Sequence, residues 1–179
     1  MMFAGNAYYD TVKNIPKKLS FKNVENFYYT FGRCENLTYF QTVDEMSKMT
    51  SATNSFTGCK KLSALYPDYE SFSWPKLSTA SGMFDGCILD KPSILKLKDA
   101  LPDWSGDTTE HNITIGCHID HKYDPEVNVA LKKLQSSYIT PIEESGGSLG
   151  ETVATDKGWT IIVQWNGTAT ENAYPAPTI

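Results

Sequence analysis

The 179-residue chain contains no run of five or more basic residues and no stretch of eighteen apolar ones. The first absence removes the electrostatic footprint of a nucleic-acid binder. The second leaves nothing that reads as a membrane-spanning helix. Histidine is scarce, at three residues, and no H-E-x-x-H occurs. No nucleophile elbow, P-loop or dinucleotide fingerprint is expected from the residues. Acidic residues are scattered, so no catalytic carboxylate pair stands out. The four cysteines are spaced 25, 28 and 30 residues apart. The close C-x₂-C pairs of zinc sites are therefore missing. Met1 to Gly5 does not read as a signal peptide, because the first basic residue is Lys13 and no long apolar stretch follows.

What is present is a globular composition: 40% apolar, 21% charged, net charge −5. That supplies a core and argues against disorder. The main signal is an internal repeat. Phe31-Gly32-Arg33-Cys34, Phe56-Thr57-Gly58-Cys59 and Phe84-Asp85-Gly86-Cys87 share one pattern, and Phe3-Ala4-Gly5-Asn6 fits it with Asn in the Cys place. The units repeat at 28, 25 and 28 residues, close to the leucine-rich-repeat range of roughly 20–29. Three further columns precede each Cys: Val24, Met49 and Leu77; Phe27, Ala52 and Ala80; Phe31, Phe56 and Phe84. Their spacing of 3 and 4 predicts a short helix. Leu37 and Leu62, then Phe40 and Leu65, follow the Cys as a short strand. Each unit is thus expected to be a helix, a Gly-Cys corner and a strand. In the third unit Asp90 takes the place of Leu37 and Leu62, and Leu89 is expected to turn inward instead. One unit cannot bury its own apolar face, so stacking should place Phe31, Phe56 and Phe84 in one column beside a parallel sheet.

Beyond Asp90 the pattern diverges. Lys91-Pro92-Ser93 reads as a helix start carrying Ile94, Leu95, Leu97 and Leu101, with Pro102 ending it. His111 to Gly116 alternates like a strand, with Ile113 and Ile115 inward. Asp124-Pro125-Glu126 opens a second helix, residues Ile142 to Glu151 read as a loop, and Lys157 to Trp165 is the last strand before an Asn166-Gly167 turn. The fold class is therefore read as α/β: a leucine-rich-repeat-like solenoid, with a parallel sheet on one face and short helices on the other. It spans residues 1–168, regular over 1–90 and divergent over 91–168. Residues 169–179 form an extended tail. Phe3 to Asn6 matches the end of a unit with two residues before it, so the chain is expected to begin inside a repeat of a longer protein.

Met83-Phe84-Asp85-Gly86-Cys87, Ile113-Thr114-Ile115-Gly116 and Lys157-Gly158-Trp159-Thr160 resemble segments of bacterial surface proteins with BspA-type leucine-rich repeats. Similar sequences occur in gut phage and prophage proteins. The resemblance implies a curved α/β solenoid that serves adhesion or partner recognition. Gly32 stands one place early, the third unit is irregular, and the Gly-rich stretch near Gly146 departs from the pattern.

These observations lead to a non-enzymatic binding module for a protein or glycan macromolecule. It is expected to be extracellular or on a bacterial cell surface, with no cofactor, no nucleic-acid partner and no membrane span. The alternatives are a phage or prophage tail component in the virion, and a metal-dependent hydrolase around His118 and His121. His118-Ile119-Asp120-His121 lacks a third ligand partner and is read as a polar exposed loop. His111 is read as a polar residue at a strand edge. Asn36, Asn112 and Asn166 begin glycosylation sequons, to which no role is given. Strand alternation assigns the binding face to Tyr39, Gln41, Ala64, Tyr66 and Thr114, pointing outward, with Leu37, Phe40, Thr42 and Leu65 inward. Exposed tyrosines suit an interface.

Three of the four cysteines occupy one repeat column, where side chains point the same way and suit a disulfide poorly. Thiol titration of the denatured, unreduced protein should therefore count four thiols. A count of two or zero would refute this reading.

Overall fold

The fold is seen in a computed structural model that describes residues 19–134, 151–154 and 157–168. Its elements are β1 (Tyr39–Phe40), β2 (Ala64–Leu65), β3 (Ala80–Leu89), α1 (Lys91–Ala100), β4 (His111–His118), a 3₁₀ turn (Ile119–His121), α2 (Pro125–Lys133), β5 (Glu151–Ala154) and β6 (Trp159–Asn166). It is a mixed α/β structure. β1 and β2 form a parallel pair, with Tyr39 opposite Ala64 and Phe40 opposite Leu65. A second sheet has the order β3-β4-β6-β5. Within it β3–β4 and β4–β6 are parallel, and β5 runs antiparallel to β6. The proposed beginning of the chain inside a repeat, most of the Gly-rich loop and the tail lie outside the described residues. β5 at the end of that loop stretch was not foreseen.

The helices expected over the repeat columns are not there. Residues 24–31 and 49–56 form successive turns, and residues 77–84 run into β3. The hydrogen bonds explain why a 4-then-3 spacing misled. The amides of Phe27, Tyr29, Phe31 and Arg33 donate to the carbonyls of Ser51, Thr53, Ser55 and Thr57, at 2.7–3.1 Å. The intervening amides of Thr30, Gly32 and Cys34 close turns onto Phe27, Tyr29 and Phe31. The next unit repeats this: Ala52, Asn54, Phe56 and Gly58 donate to Thr79, Ser81, Met83 and Asp85. Left-handed residues recur every four positions, at Tyr29 and Arg33, at Asn54 and Gly58, and at Gly82 and Gly86. A chain of turns with a four-residue period thus sends every fourth side chain inward, as a helix would, but spends half its amides on the neighbouring unit.

The inward column forms as expected. Phe31 and Phe56 stack at 5.6 Å, Phe56 and Phe84 at 5.5 Å, both pairs within 4° of parallel. The cysteine column lies beside it, and all four cysteines are buried and outside any disulfide. Cys59 Sγ donates to the Phe31 carbonyl (3.0 Å) and Cys87 Sγ to the Phe56 carbonyl (3.3 Å). These thiols join units as donors rather than through sulfur–sulfur bonds. Burial raises the pKa of Cys87 and Cys117, which keeps them protonated.

β3 marks the change from turn chain to regular strand. Five of its residues, Ala80 to Phe84, cover the length that three cover in β4, Ile113 to Ile115. The surplus is taken up at Gly82 (φ 65°) and Gly86 (φ 72°), a conformation open to glycine at little cost. β4 and β6 then pair regularly over eight residues.

Both helices start as their sequences predict. The Asp90 carboxylate accepts from the Ser93 amide (2.9 Å), with Pro92 in the first turn of α1. The Asp124 carboxylate accepts from the amides of Glu126 (2.9 Å) and Val127 (3.2 Å) at the start of α2. Leu89 is buried, as expected once Asp90 serves as the cap. No helix among the described residues is long and apolar enough to cross a membrane.

The Lys157-Gly158-Trp159 string closes the structure residue by residue. Lys157 Nζ donates to the carbonyls of Lys98 (2.8 Å) and Leu101 (2.7 Å), satisfying the end of α1. A Cβ on Gly158 would lie 2.6 Å from the Trp104 carbonyl carbon, and its φ is 78°. Trp159 is fully buried and donates from Nε1 to the Pro102 carbonyl (3.0 Å).

Phe56 touches both neighbours in the column and is fully buried. Phe56→Ala should cost about 3–5 kcal/mol and Phe56→Leu clearly less. Urea denaturation reads both; a Phe56→Ala cost below about 1 kcal/mol would mean that the column does not hold the units together.

Candidate functional site

β1 and β2 are only two residues long, and the chain leaves each in a wide turn. These turns, residues 41–45 and 66–73, meet. Gln41 is buried, with Nε2 donating to Asp68 Oδ2 (3.0 Å) and Oε1 accepting from the Asp68 amide (3.4 Å). Thr42 is buried beside it, and its Oγ1 shares a 3.0 Å hydrogen bond with the Tyr66 hydroxyl. Tyr66 takes a left-handed backbone (φ 47°), uncommon for a large side chain. Its ring is held by stacking on Phe72 at 4.4 Å and by edge contacts to Tyr69 and Phe40. Burial pushes the pKa of Tyr66 up, against the opposing pull of the Thr42 hydrogen bond. The Lys96 ammonium donates to the Tyr66 carbonyl (2.9 Å), which ties the turn to α1.

The two turns enclose a cavity of about 190 Å³, lined chiefly by Val43, Asp44, Glu45, Tyr69, Phe72 and the Tyr66 ring. Val43 and Tyr69 are exposed large side chains, at 45% and 41%. A concave site with aromatic walls and a few convergent polar groups is the usual form of a recognition pocket.

The five residues assigned to the outward strand face separate. Tyr39 and Ala64 are half-buried and stand opposite each other in the β1–β2 register. Gln41, Tyr66 and Thr114 are buried, at 2%, 4% and 5% exposure, so their outward placement is corrected. Alternation fails at Gln41 because β1 ends at Phe40, and at Tyr66 because its positive φ breaks the extended backbone. Thr114 lies in β4 between two strands. Its Oγ1 accepts from the Gly82 amide (3.1 Å), a donor left over where β3 bulges. Tyr39 and Tyr66 therefore do not form a pair on one face. Thr42, Leu37, Phe40 and Leu65 are buried as expected.

His111 is likewise corrected from a strand edge to the interior. It is 3% exposed, stacked on Trp104 at 4.6 Å, with Nδ1 2.9 Å from the Ser78 carbonyl and Nε2 3.3 Å from Asp107 Oδ2. The strand is central rather than peripheral, which is why. His118 and His121 lie close, with ring centroids 6.2 Å apart. The Asp120 amide donates to His118 Nδ1 (3.3 Å), and the Lys91 amide donates to His121 Nε2 (3.2 Å). Both rings are part-buried rather than on an open loop. Nearby, Asp124 forms an ion pair with Lys91 (3.0 Å). Burial opposes that carboxylate, but Lys91 and the helix amides outweigh it and hold its pKa below the usual range. Among the described residues no three His, Cys, Asp or Glu side chains are grouped to hold a metal.

Asp44, Glu45, Tyr69 and Phe72 were not singled out by the sequence reading. For Tyr69 and Phe72 the signal was local, since Tyr66-Pro67-Asp68-Tyr69-Glu70-Ser71-Phe72-Ser73-Trp74 interleaves aromatic rings with acidic and hydroxyl residues, whereas nothing comparable surrounds Asp44 and Glu45. One string also qualifies the expectation that no nucleophile elbow occurs. Gly146-Gly147-Ser148-Leu149-Gly150 spells G-x-S-x-G, a motif that works at a strand-to-helix turn. It lies outside the described residues, in the stretch read as a loop. Compared with protein-family models, curated proteins and solved structures, the chain finds no match.

Burial first, and the neighbouring His118 second, lower the pKa of His121 from 6.5, against the pull of Asp124, Asp120 and Asp90. The folded state therefore favours the neutral ring that accepts from Lys91. This contribution to stability is fully present above pH 6.5 and is lost as the pH falls from there toward the lowered value. Stability measured in urea between pH 7.5 and 5 should fall less steeply in His121→Gln than in the parent. Equal slopes would remove His121 as a source of the pH dependence.

Proposed function

We propose that this chain is a non-enzymatic recognition module. In this reading it is a leucine-rich-repeat-like solenoid of the BspA type that binds a protein or glycan macromolecule, outside the cell or on a bacterial surface. The observation that carries the reading is the near-parallel stacking of Phe31, Phe56 and Phe84, 5.5–5.6 Å apart, with amides of each unit donating to the next. Quasi-one-dimensional stacking of units builds extended surfaces suited to large partners. The cavity beyond β1 and β2 supports the same reading. At about 190 Å³ it is smaller than the roughly 300–1,000 Å³ of pockets that enclose whole small molecules, so it suits one group of a larger partner.

The test is saturable binding of the purified chain, immobilised, to purified extracellular-matrix and bacterial surface proteins and to an oligosaccharide array. The reading expects at least one partner with a Kd of about 10 μM or tighter. No saturable partner, together with hydrolytic turnover that needs near-stoichiometric zinc, would replace it with the metal-dependent hydrolase.

A further inference from the structure

We propose that the cavity at the ends of β1 and β2 holds a single sugar residue of a glycan partner. Tyr69 serves as the stacking platform, and Asp44 and Glu45 accept from the sugar hydroxyls. The inference rests on the recognition-module reading and narrows its partner to a glycan.

The walls are aromatic on one side. Tyr66 and Phe72 stack on each other at 4.4 Å, and Tyr69 meets Tyr66 edge-on at 6.1 Å. Tyr66 and Phe72 thereby cover each other, whereas Tyr69, 41% exposed, keeps ring surface open to the cavity it lines. A flat apolar surface of this kind matches the C–H face of a pyranose ring. The other lining residues are Asp44, Glu45, Ser71 and Ser73 with Thr42 and Val43. Ionised carboxylates only accept hydrogen bonds, serine hydroxyls do both, and a sugar rim presents hydroxyls that can donate to either. Bonds to a carboxylate are the stronger kind. Among the described residues neither Asp44 nor Glu45 has an ion-pair partner, so their acceptor capacity is not taken up by a cation.

The site is also fixed before any ligand arrives. Gln41 bonds to Asp68 on both sides of its amide, Thr42 bonds to Tyr66, and Lys96 holds the Tyr66 carbonyl. Binding then costs little ordering of the walls. A lysine or arginine side chain of a protein partner would also seek the carboxylates, but as a donor only it offers no acceptor to the serine O–H groups of the lining, whereas a sugar hydroxyl both donates and accepts.

The experiment screens the full chain against a printed oligosaccharide array and titrates the strongest responder by calorimetry. Tyr69→Ala and Glu45→Gln change exposed residues, and thermal melts check that both variants fold. Tyr123→Ala removes an exposed tyrosine outside the cavity as a control. The expected result is binding that the free sugar competes away, weakened about tenfold or more by Tyr69→Ala and by Glu45→Gln and unchanged by Tyr123→Ala. Sugar binding that both cavity variants leave intact would overturn the pocket while keeping a glycan partner. Binding to a purified protein with no sugar response would overturn the inference and leave the recognition module standing. Competition by a lysine-rich peptide and not by sugars, lost in Glu45→Gln, would make the cavity a cation site. Absence of any partner, sugar or protein, would sink the recognition module itself.

Discussion

The structure depends on where the backbone amides of residues 27–34 and 52–59 send their hydrogen bonds. In a helix every one of them would be satisfied inside its own segment. Here alternate amides close local turns and the others donate to the next unit, so no unit can satisfy its own backbone. An unpaired buried amide costs about as much as a lost hydrogen bond, of order 1–3 kcal/mol. Four such donors per unit make each unit's conformation conditional on its neighbour's. The phenylalanine column adds to this at the same interface, and its near-parallel rings are a consequence of the ladder holding successive units at one spacing.

The same accounting explains two polar side chains of the second half, Thr114 and Gln164. Where the turn chain gives way to regular strands, β3 has more amides than β4 has carbonyls to receive them. The surplus donors at Gly82 and Gly86 go to side chains instead: Thr114 Oγ1 at 3.1 Å and Gln164 Oε1 at 3.0 Å. Gln164 Nε2 then donates to Asp85 Oδ1 (2.7 Å), whose other oxygen accepts from Thr57 (3.1 Å). A polar chain therefore runs from Thr57 through Asp85 to Gln164, anchored at Gln164 by the Gly86 amide that the irregular strand leaves over.

How much of this could be read in the sequence follows from what each pattern encodes. The columns ending in Cys34, Cys59 and Cys87 identified which side chains face inward, because burial depends on period alone. They did not identify the backbone, because a helix and a train of turns both return to the core every three to four residues. The caps Asp90 and Asp124 with their following prolines were legible, since one local carboxylate determines a helix start. The outward face was not. Strand alternation was extended from Phe40 to Gln41 and from Leu65 to Tyr66, across strand ends set by pairing between units. Likewise His111 is polar in sequence but central in the sheet, and its position depends on Trp104 and Trp159 arriving from either side.

The breakdown of regularity beyond Phe40 and Leu65 bears on where recognition would arise in such a chain. Residues within the ladder are held by donors and acceptors in two neighbouring units, so a change there is felt in both. The turns at 41–45 and 66–73 carry fewer of these obligations: Gln41, Thr42 and Tyr66 anchor them, while Val43, Glu45 and Tyr69 are exposed. A rigid scaffold with variable segments at its strand ends is the common arrangement for binding loops. The division of labour within the turns is chemical as well. The polar atoms of their buried members are taken up within the turns, Thr42 by Tyr66 and Gln41 by Asp68, while exposed members such as Tyr69, Val43 and Glu45 bring an aromatic ring, an aliphatic side chain and a carboxylate with surface left to offer.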